Sequence, residues 1–285
     1  MKISFIGAGK VGFSLGKFFA EGGVPVTGYY SRHRESAQEA ALFCGAKSYD
    51  TLETIIQESD ALILTVPDGM ITPVYQELRQ FDISKKQICH CSGAMTAREA
   101  FPGLTEAGAY GYSIHPLFPI SNKLTAYREL SGAFFCLEGT GPQLDFWKEL
   151  LESLGAKTQM ISGGDKIRYH AACAISSNLM CALVQESVEL LEQCGFSQEL
   201  ALQALAPLMR SNLEHILSDG PIGALTGPLE RGDVVTVKKH MECFFTEQER
   251  EMYRLLSKKL LAIAGQKHPE RKYDAMEALL EKEMG

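Results

Sequence analysis

MKISFIGAGKVGFSLGKFFAEGG, residues 1–23, opens the chain and specifies the architecture of its amino-terminal half. A short apolar strand runs into the pattern Gly-x-Gly-x-x-Gly, an amphipathic helix follows, and a second strand pattern begins at Val24. In such a unit the glycines allow a tight turn, close approach of a pyrophosphate, and packing of the helix on the strand. The helix N-terminus adds amide groups and a positive dipole. The motif therefore predicts a dinucleotide site, formed by Gly7, Ala8, Gly9, Lys10, Val11 and Gly12, with a purely structural glycine turn as the alternative.

The end of the second strand indicates which dinucleotide is bound. Proteins that bind NAD usually place an acid about 20 residues after the glycines, where it meets the ribose 2′-hydroxyl. Here the sequence is YSRHR, residues 30–34, and it contains no acid. A hydroxyl and a guanidinium bind a 2′-phosphate well, so Ser31 and Arg32 favour NADP. Arg34 is either a helper or a solvated surface arginine.

Two further strands end in residues that we expect along the cofactor. ALILTVP, from residue 61, is almost continuously apolar, as a buried parallel strand should be. QICHCSG, from residue 87, is the next strand along the chain. Open α/β sheets bind ligands at the carboxyl ends of their strands. The residues predicted there are Val66, Pro67, Asp68, Ser92 and Gly93.

Two histidines lie near these strand ends. His115 follows a predicted strand over residues 109–114 and precedes a proline, which suggests a loop residue in the wall of the substrate site. A surface role is the alternative on sequence alone. His90 lies inside a predicted strand and is expected in the core. The run Cys89-His90-Cys91 alternates between the two faces of that strand, so no metal site is predicted.

Residues 163–195 contain no glycine or proline between Gly164 and Gly195, which predicts one long helix. Small residues dominate its first half. On a period of 3.6 residues, one stripe carries Lys166, His170, Cys173 and Ser177. This stripe of polar groups on a small, apolar face is the candidate catalytic site.

Composition divides the chain near residue 162. Residues 1–162 read as an α/β, doubly wound Rossmann domain, and residues 163–285 read as an all-helical domain for substrate binding and dimerisation. The helical half is interrupted by a glycine- and proline-containing loop at residues 223–233. Either this loop is a connector, or it brings Thr226 and Arg231 to the substrate, where the arginine would hold a carboxylate.

Whole-chain properties exclude several classes of partner. The 285 residues carry a net charge of -7, which provides no electrostatic footprint for nucleic acid. We find no apolar run of the roughly 18 residues that cross a bilayer and no signal peptide, so we expect no membrane association and a cytoplasmic protein. The eight cysteines are scattered through predicted strands and helices, which favours reduced thiols.

Four phrases resemble a known family. They are SIHPL at residues 113–117, KIRYHAA at 166–172, SN at 177–178 and TGPLERGD at 226–233. Together with the glycine turn, they resemble the Rossmann-like proteins with a DUF2520 domain, in the superfamily of 6-phosphogluconate dehydrogenase. The resemblance implies an NADP-dependent oxidoreductase, a homodimer, and a lysine that opens the long helix, matched here by Lys166. Some members resemble an alternative ketopantoate reductase of pantothenate biosynthesis.

The predicted function is therefore an NADPH-dependent reductase that transfers hydride to a small 2-oxo acid, with ketopantoate as the best candidate. Lys166 is the expected proton donor. His170 and either Ser177 or Asn178 are expected to hold the substrate; His170 stands where better understood relatives have asparagine. His115, Thr226 and Arg231 are second-rank substrate residues. Two alternatives remain open: an imine reductase of the pyrroline-5-carboxylate type, and an NADP-binding sensor without turnover.

Overall fold

The structure is a computed structural model that describes residues 1–139 and 141–281. The chain forms two compact units, Met1–Ser177 and Asn178–Gly285, and each is described here by itself. The predicted boundary lay at residues 162/163. The first unit extends to Ser177, so it includes the helix that carries Lys166. Residues 282–285 of the predicted helical domain lie outside the described residues.

The first unit is built on an eight-stranded sheet with the order β3-β2-β1-β4-β5-β6-β7-β8. All neighbouring strands are parallel except β6 and β7. The strands are β1 Ile3–Ile6, β2 Val26–Tyr30, β3 Lys47–Ser48, β4 Ala61–Leu64, β5 Gln87–His90, β6 Tyr110–Leu117, β7 Phe134–Gly139 and β8 Lys157–Met160. The order places β1 beside β4, so the chain winds outward in both directions from β1, and the predicted doubly wound α/β class is confirmed.

Helices cover this sheet because its central strands are apolar on both faces. All residues of β1, β4 and β5 are buried, and two hydrophobic clusters pack against them, one containing Phe5 and Trp147 and the other Leu62 and Tyr75. The helices of the unit are α1 Lys10–Glu21, α2 Arg34–Cys44, α3 Leu52–Glu58, α4 Asp68–Leu78, α5 Ala97–Ala100, α6 Leu144–Ser153 and α7 Lys166–Ser176. Burial of this apolar surface is the main favourable term in the stability of the unit.

Strand β6 corrects one expectation. His115 and Pro116 were expected in a loop after residue 114, but both lie inside β6. β5 pairs with β6 only as far as Ser113, whereas the antiparallel partner β7 pairs with it through Leu117. Beyond Ser113, therefore, one side of β6 is free of a β5 partner, and a proline is tolerated there because no ladder bond is lost. His115 consequently projects from a strand that extends past its neighbour.

The predicted long helix is also corrected. A short 3₁₀ turn at Gly163–Asp165 precedes α7, and α8 begins at Asn178. Between α7 and α8, Ser177 adopts φ -127° and ψ -74°, outside the helical region. The expectation that no segment is apolar enough to cross a bilayer needs amendment too, because Gly163–Gln193 has the length and a hydropathy of 1.2 for such a span. One helix of this kind is weak evidence for a membrane protein.

The second unit is helical throughout its described residues. Its helices are α8 Asn178–Gln193, α9 Gln198–Ala224, α10 Pro228–Arg231, α11 Val234–Cys243, α12 Glu247–Lys267 and α13 Asp274–Glu281. A non-helical Gly220 kinks α9, and a capping box formed by Thr246 and Glu249 opens α12. A small core of residues from α10 to α13 includes Val237, Met241 and Leu261.

Candidate active site

The glycine turn between β1 and α1 has the geometry that the motif predicts. Gly7 adopts φ 106°, a left-handed conformation that side chains strongly disfavour. A Cβ on Gly12 would lie 2.3 Å from Thr65 Oγ1, so only glycine lets α1 pack this closely on the end of β4. Thr65 Oγ1 donates to the Gly7 carbonyl at 2.8 Å and holds the turn in place. Gly9 has no atom within 4 Å of its Cβ position, which leaves the side of the turn open to a ligand.

The arginines at the end of β2 differ in their contacts. Arg34 forms an ion pair with Asp50, with Nε 3.0 Å from Oδ1. Arg32 is exposed, and its guanidinium forms no hydrogen bond or ion pair with residues 1–139 or 141–281. Ser31 Oγ accepts a hydrogen bond from the amide of His33 at 3.3 Å. Arg32 is thus the side chain available to a phosphate, whereas Arg34 is engaged elsewhere.

The ends of β4 and β5 are joined by side chains. Ser92 Oγ donates to Asp68 Oδ2 at 2.7 Å, and it accepts hydrogen bonds from the amides of Ala94 and Met95. Asp68 opens α4 directly after Val66 and Pro67. Ser92 therefore fixes both its own turn and the start of α4, which places the predicted residues Val66, Pro67, Asp68, Ser92 and Gly93 at neighbouring strand ends.

Lys166 lies at the centre of this region, and its side chain is fully buried. Its Nζ donates to the Ser92 carbonyl at 2.9 Å and to Ser113 Oγ at 2.5 Å. Burial lowers the pKa of Lys166, although nearby acidic groups, led by Glu138, oppose this shift. In this conformation Nζ has no exposed surface, so the ammonium ties the ends of β5 and β6 to the start of α7 and does not reach a ligand directly.

Glu138 on β7 supplies the opposite charge. The residue is buried, its Oε2 accepts from the Ala97 amide at 2.8 Å, and its charge is coupled to that of Lys166. Burial raises the pKa of Glu138, while the bond from Ala97 and the positive charge of Lys166 lower it. A buried lysine needs such compensation because an isolated buried charge is strongly unfavourable.

His115, Tyr169 and His170 form a cluster of rings beside the buried lysine. His115 Nδ1 lies 2.6 Å from Tyr169 Oη, and the two rings meet edge to face at 85°. The His170 ring centre is 6.3 Å from that of His115, and His170 is exposed. Burial, together with the charges of Lys166 and His170, lowers the pKa of His115 to about 4, so His115 is neutral near pH 7.

Gly93 lies against both histidines. A Cβ at this position would lie 2.6 Å from His170 Cδ2 and 2.9 Å from His115 Nε2. A Cβ does not come within 3 Å of another non-hydrogen atom unless something moves, so residue 93 must be glycine for the two rings to occupy these positions. The structure therefore brings His115 and His170 together at the end of β5, beside Lys166.

Four other predicted residues lie at the end of α7 or in the second unit. Ser177 Oγ is exposed and donates to the Cys173 carbonyl at 2.6 Å, as part of its own helix end. Asn178, Thr226 and Arg231 lie in the second unit, where Asn178 opens α8 and Arg231 ends α10. Next to Arg231, Glu230 is paired with His268 and Arg271, which fixes the short helix α10 within its own unit.

Sequence reasoning did not assign roles to three residues of the cluster, namely Ser113, Glu138 and Tyr169. Ser113 lies within the phrase SIHPL, and Tyr169 lies within KIRYHAA. Tyr169 follows Lys166 by three residues. A spacing of three residues places two side chains on the same helix face. Glu138 is an acid inside the otherwise apolar strand FFCLEG, and a charge in such a strand signals a buried partner.

Two protein families match separate parts of the chain. Residues 1–116 match the Rossmann-like domain, and residues 133–260 match DUF2520, a domain of unknown function. A search of curated protein sequences gave no match.

Three solved structures are similar over nearly the whole chain. Protein TM1727 from Thermotoga maritima has 26% identity and a TM-score of 0.75, covering 93% of this chain and 99% of that one. BF3122 from Bacteroides fragilis, assigned as an NADP oxidoreductase without proof, has 19% identity and a TM-score of 0.67 over 92% and 98% of the two chains. A reductive aminase from Aspergillus terreus, in complex with NADPH and ethyl-5-oxohexanoate, has 16% identity and a TM-score of 0.64 over 95% and 99%.

Proposed function

We propose that this protein is an NADPH-dependent reductase of a small carbonyl compound. The observation that carries the proposal is the cluster of Lys166, His115 and Tyr169 near the ends of strands. The glycine turn follows β1 of the same sheet. A dinucleotide bound at that turn would lie along the carboxyl ends of the strands, which is where this polar cluster is found. The similarity to structures holding NADPH supports the choice of cofactor.

The residues at the end of β2 support NADPH over NADH. No acid follows β2, and Arg32 is exposed with its guanidinium unengaged by the described residues. A guanidinium binds phosphate through a planar and often bidentate fork. Ser31 and Arg32 would hold the 2′-phosphate, and the glycine turn with the N-terminus of α1 would hold the pyrophosphate.

The chemistry of the cluster suits carbonyl reduction. NADPH, when bound, supplies a hydride to the carbonyl carbon, and negative charge then develops on the carbonyl oxygen. A fixed positive charge and positioned hydrogen-bond donors stabilise that oxygen more than the starting carbonyl. In this proposal the buried Lys166 supplies the fixed charge and positions the strand ends. Because Lys166 is fully buried, neighbouring groups contact the substrate directly. His170 would orient the substrate.

A small 2-oxo acid is the proposed substrate class, and ketopantoate is its best candidate, because the sequence phrases resemble those of an alternative ketopantoate reductase type. Turnover should be followed as NADPH oxidation with ketopantoate, other branched 2-oxo acids and cyclic imines. Oxidation with a 2-oxo acid supports the proposal. Tight NADPH binding without turnover of any of these compounds would instead favour a sensor protein.

An imine reductase is the second candidate, supported by the similarity to a reductive aminase. Reduction of C=N leaves an amine in place of an alkoxide, and it needs less proton donation to oxygen. The same substrate panel separates the two functions, because an imine reductase would oxidise NADPH with cyclic imines and not with 2-oxo acids. The effect of losing Lys166 would also be smaller for an imine reductase.

We further propose that the protein is a cytoplasmic homodimer that assembles through α8 and α9. Large apolar side chains are exposed along these helices, including Leu208 at 67% and Leu217 at 77%. Exposed apolar patches on this scale mark interaction surfaces, and a second copy of the chain would cover them symmetrically. Light scattering on Leu217→Glu should show a monomer, whereas Leu42→Glu, at an isolated exposed leucine of α2, should remain dimeric. A wild-type monomer would contradict the proposal.

A further inference from the structure

The ring pair of His115 and Tyr169 is better placed than Lys166 to meet a substrate. Lys166 has no exposed surface, and its ammonium already contacts Ser92 and Ser113. His115 and Tyr169 are both half-buried, and Oη lies 2.6 Å from Nδ1. A group that passes a proton to a substrate must come within hydrogen-bond reach of it, and the ring pair meets this condition where the buried ammonium does not.

The second nitrogen of His115 is the accessible end of this pair. Nε2 of His115 forms no hydrogen bond with residues 1–139 or 141–281. Unlike Nε2 of His90, which also has no partner, it is not fully buried. It therefore reaches solvent. Gly93 packs against this nitrogen, since a Cβ on residue 93 would lie 2.9 Å from Nε2 and would displace the ring.

The hydrogen bond between Tyr169 and His115 joins a protonated phenol to a neutral imidazole. Burial raises the pKa of Tyr169 far above its usual range, and the neighbouring thiols of Cys136 and Cys173 raise it further, so the phenol keeps its proton. His115 is neutral near pH 7. A protonated phenol beside a neutral imidazole donates to the nitrogen that lacks hydrogen. If Tyr169 Oη–H is the donor and Nδ1 the acceptor, the single imidazole proton is on Nε2, and we adopt this arrangement.

We propose that His115 is a catalytic residue whose Nε2–H contacts the carbonyl oxygen of the substrate beside Gly93, and that Tyr169 fixes its tautomer and resupplies its proton. This inference rests on the proposed reductase function. A neutral imidazole is a suitable electrophile for this task, since it can donate a hydrogen bond without carrying its own charge into the site.

The proposed proton transfer balances as follows for a ketone. Hydride from NADPH bonds to the carbonyl carbon, and the π electron pair of the carbonyl moves to oxygen. That oxygen takes the proton from Nε2 while Nδ1 takes the proton of Tyr169. Water then gives a proton to Nε2, and Nδ1 returns its proton to the phenolate, which restores Tyr169 and the starting tautomer and leaves hydroxide. The sum is one hydride and one proton added to the carbonyl group, with NADPH oxidised.

Variants of both rings test the inference, with ketopantoate as the first probe. We expect Tyr169→Phe to lower kcat about 10- to 100-fold with little change in the KM for NADPH, since proton transfer contributes roughly this much. We expect His115→Asn to lower kcat about 100-fold or more. His115→Gln, whose amide nitrogen can reach the position of Nε2, should recover part of that loss.

Tyr49→Phe is the matched control, because Tyr49 donates a hydrogen bond to Glu58 at 2.9 Å in the same unit but beyond β2. A structural effect would lower Tm in either tyrosine variant, whereas only Tyr169→Phe should lower kcat. Nitrogen-15 NMR of the wild-type protein should show His115 as the neutral Nε2–H tautomer, and Tyr169→Phe should shift it toward a mixture.

The outcomes separate this inference from the proposed function. Wild-type turnover together with an unimpaired kcat in Tyr169→Phe would overturn the role of the ring pair and leave the reductase function standing. An Nδ1–H tautomer in the active wild type would overturn the proposed direction of the hydrogen bond. Absence of turnover with every carbonyl and imine probe would overturn the reductase function, and the inference with it.

Discussion

The strand ends of one sheet carry polar groups in two contrasting arrangements. Around β5 and β6, Lys166, Ser92 and Ser113 are buried and hydrogen-bonded to one another. Around β1 and β2, Gly9 is open to solvent and Arg32 is exposed. The first arrangement is rigid before any ligand arrives, whereas the second contains groups that are free to adapt to one.

This difference matches what each region has to do. Catalytic groups are effective when their geometry is fixed in advance, because no reorganisation is then needed during the reaction. A phosphate on a flexible cofactor can be bound by a mobile side chain at the surface, with little loss of specificity. We therefore expect substitutions around β5 and β6 to affect both stability and rate, and substitutions at the end of β2 to affect cofactor binding alone.

The largest effect is expected for Lys166→Met, which keeps most of the side-chain length and removes the charge. The Ser92 carbonyl, Ser113 Oγ and the buried Glu138 would lose their positive partner. Breaking a buried, hydrogen-bonded charge cluster costs about 3–5 kcal/mol of unfolding free energy. Urea denaturation should show this loss, together with loss of NADPH oxidation.

Lys157→Met is the control for this prediction, because Lys157 is exposed on the edge strand β8. It should change the free energy of unfolding by less than about 0.5 kcal/mol. A double variant, Lys166→Met with Glu138→Gln, should be less destabilised than the sum of the single variants, since it leaves no unpaired charge. Additive losses would contradict the coupling of these two residues.

The next largest effect is expected for Gly93→Ala. The new Cβ would lie 2.9 Å from His115 Nε2 and 2.6 Å from His170 Cδ2, so both rings must move. Small displacements of catalytic groups cost about 100-fold in rate, and kcat/KM should fall by roughly this factor in the NADPH oxidation assay. Gly132→Ala has open space at its Cβ position and should retain wild-type activity. Full activity in Gly93→Ala would show that the rings tolerate displacement.

A smaller and more selective effect is expected for Arg32→Ala. Loss of one charge-assisted phosphate contact, at about 1.5–3 kcal/mol, should weaken NADPH binding roughly tenfold or more and leave NADH binding unchanged. Titration calorimetry with both cofactors measures this difference. Arg34→Ala should have little effect on either, because Arg34 is paired with Asp50. Equal losses for NADPH and NADH in Arg32→Ala would contradict the assigned phosphate contact.

The same contrast explains what the sequence could reveal. The glycine turn, the order of strands and helices, and the position of Arg32 follow from local patterns, since each depends on neighbours a few residues away. Lys166 was identified by its helix stripe, but its burial depends on Ser92, just after β5, and on Ser113 and Glu138, which lie on β6 and β7. Contacts between residues so distant in sequence leave no periodic signal in a single chain.

Two errors have similar physical origins. The extension of β6 through His115 depends on pairing with β7, whose residues come about 20 positions later, whereas the sequence pattern predicts a strand only to residue 114. The break at Ser177 occurs in a segment with no glycine or proline, where helix propensity gives no warning. In both cases tertiary context overrides the local preference.

The smallest effect we expect concerns the pH dependence of stability, and it arises from the buried side of the cluster. Burial, together with the positive charge of Lys166, lowers the pKa of His90 to about 3. Because the unfolded chain binds this proton with a pKa near 6.5, the neutral form stabilises the fold fully above pH 6.5. This stability is lost as the pH falls from 6.5 toward 3, and His90 accounts for about 2 kcal/mol of it by pH 5.

The variant His90→Asn isolates this contribution, because the amide oxygen of asparagine can accept the Ser92 amide bond that His90 Nδ1 now accepts at 3.1 Å. Urea denaturation at about pH 7.5 and about pH 5 should show a smaller loss of stability in the variant than in the wild type. Some loss of stability at low pH should remain in the variant, since the pKa of His115 is also lowered, to about 4, and its protonation favours unfolding in the same way. His33→Asn, at an exposed position after β2, should reproduce the wild-type dependence. A wild-type pH dependence in His90→Asn would mean that His90 accepts a proton in the folded state, and the polar groups around β5 would then be less rigidly enclosed than their hydrogen bonds indicate.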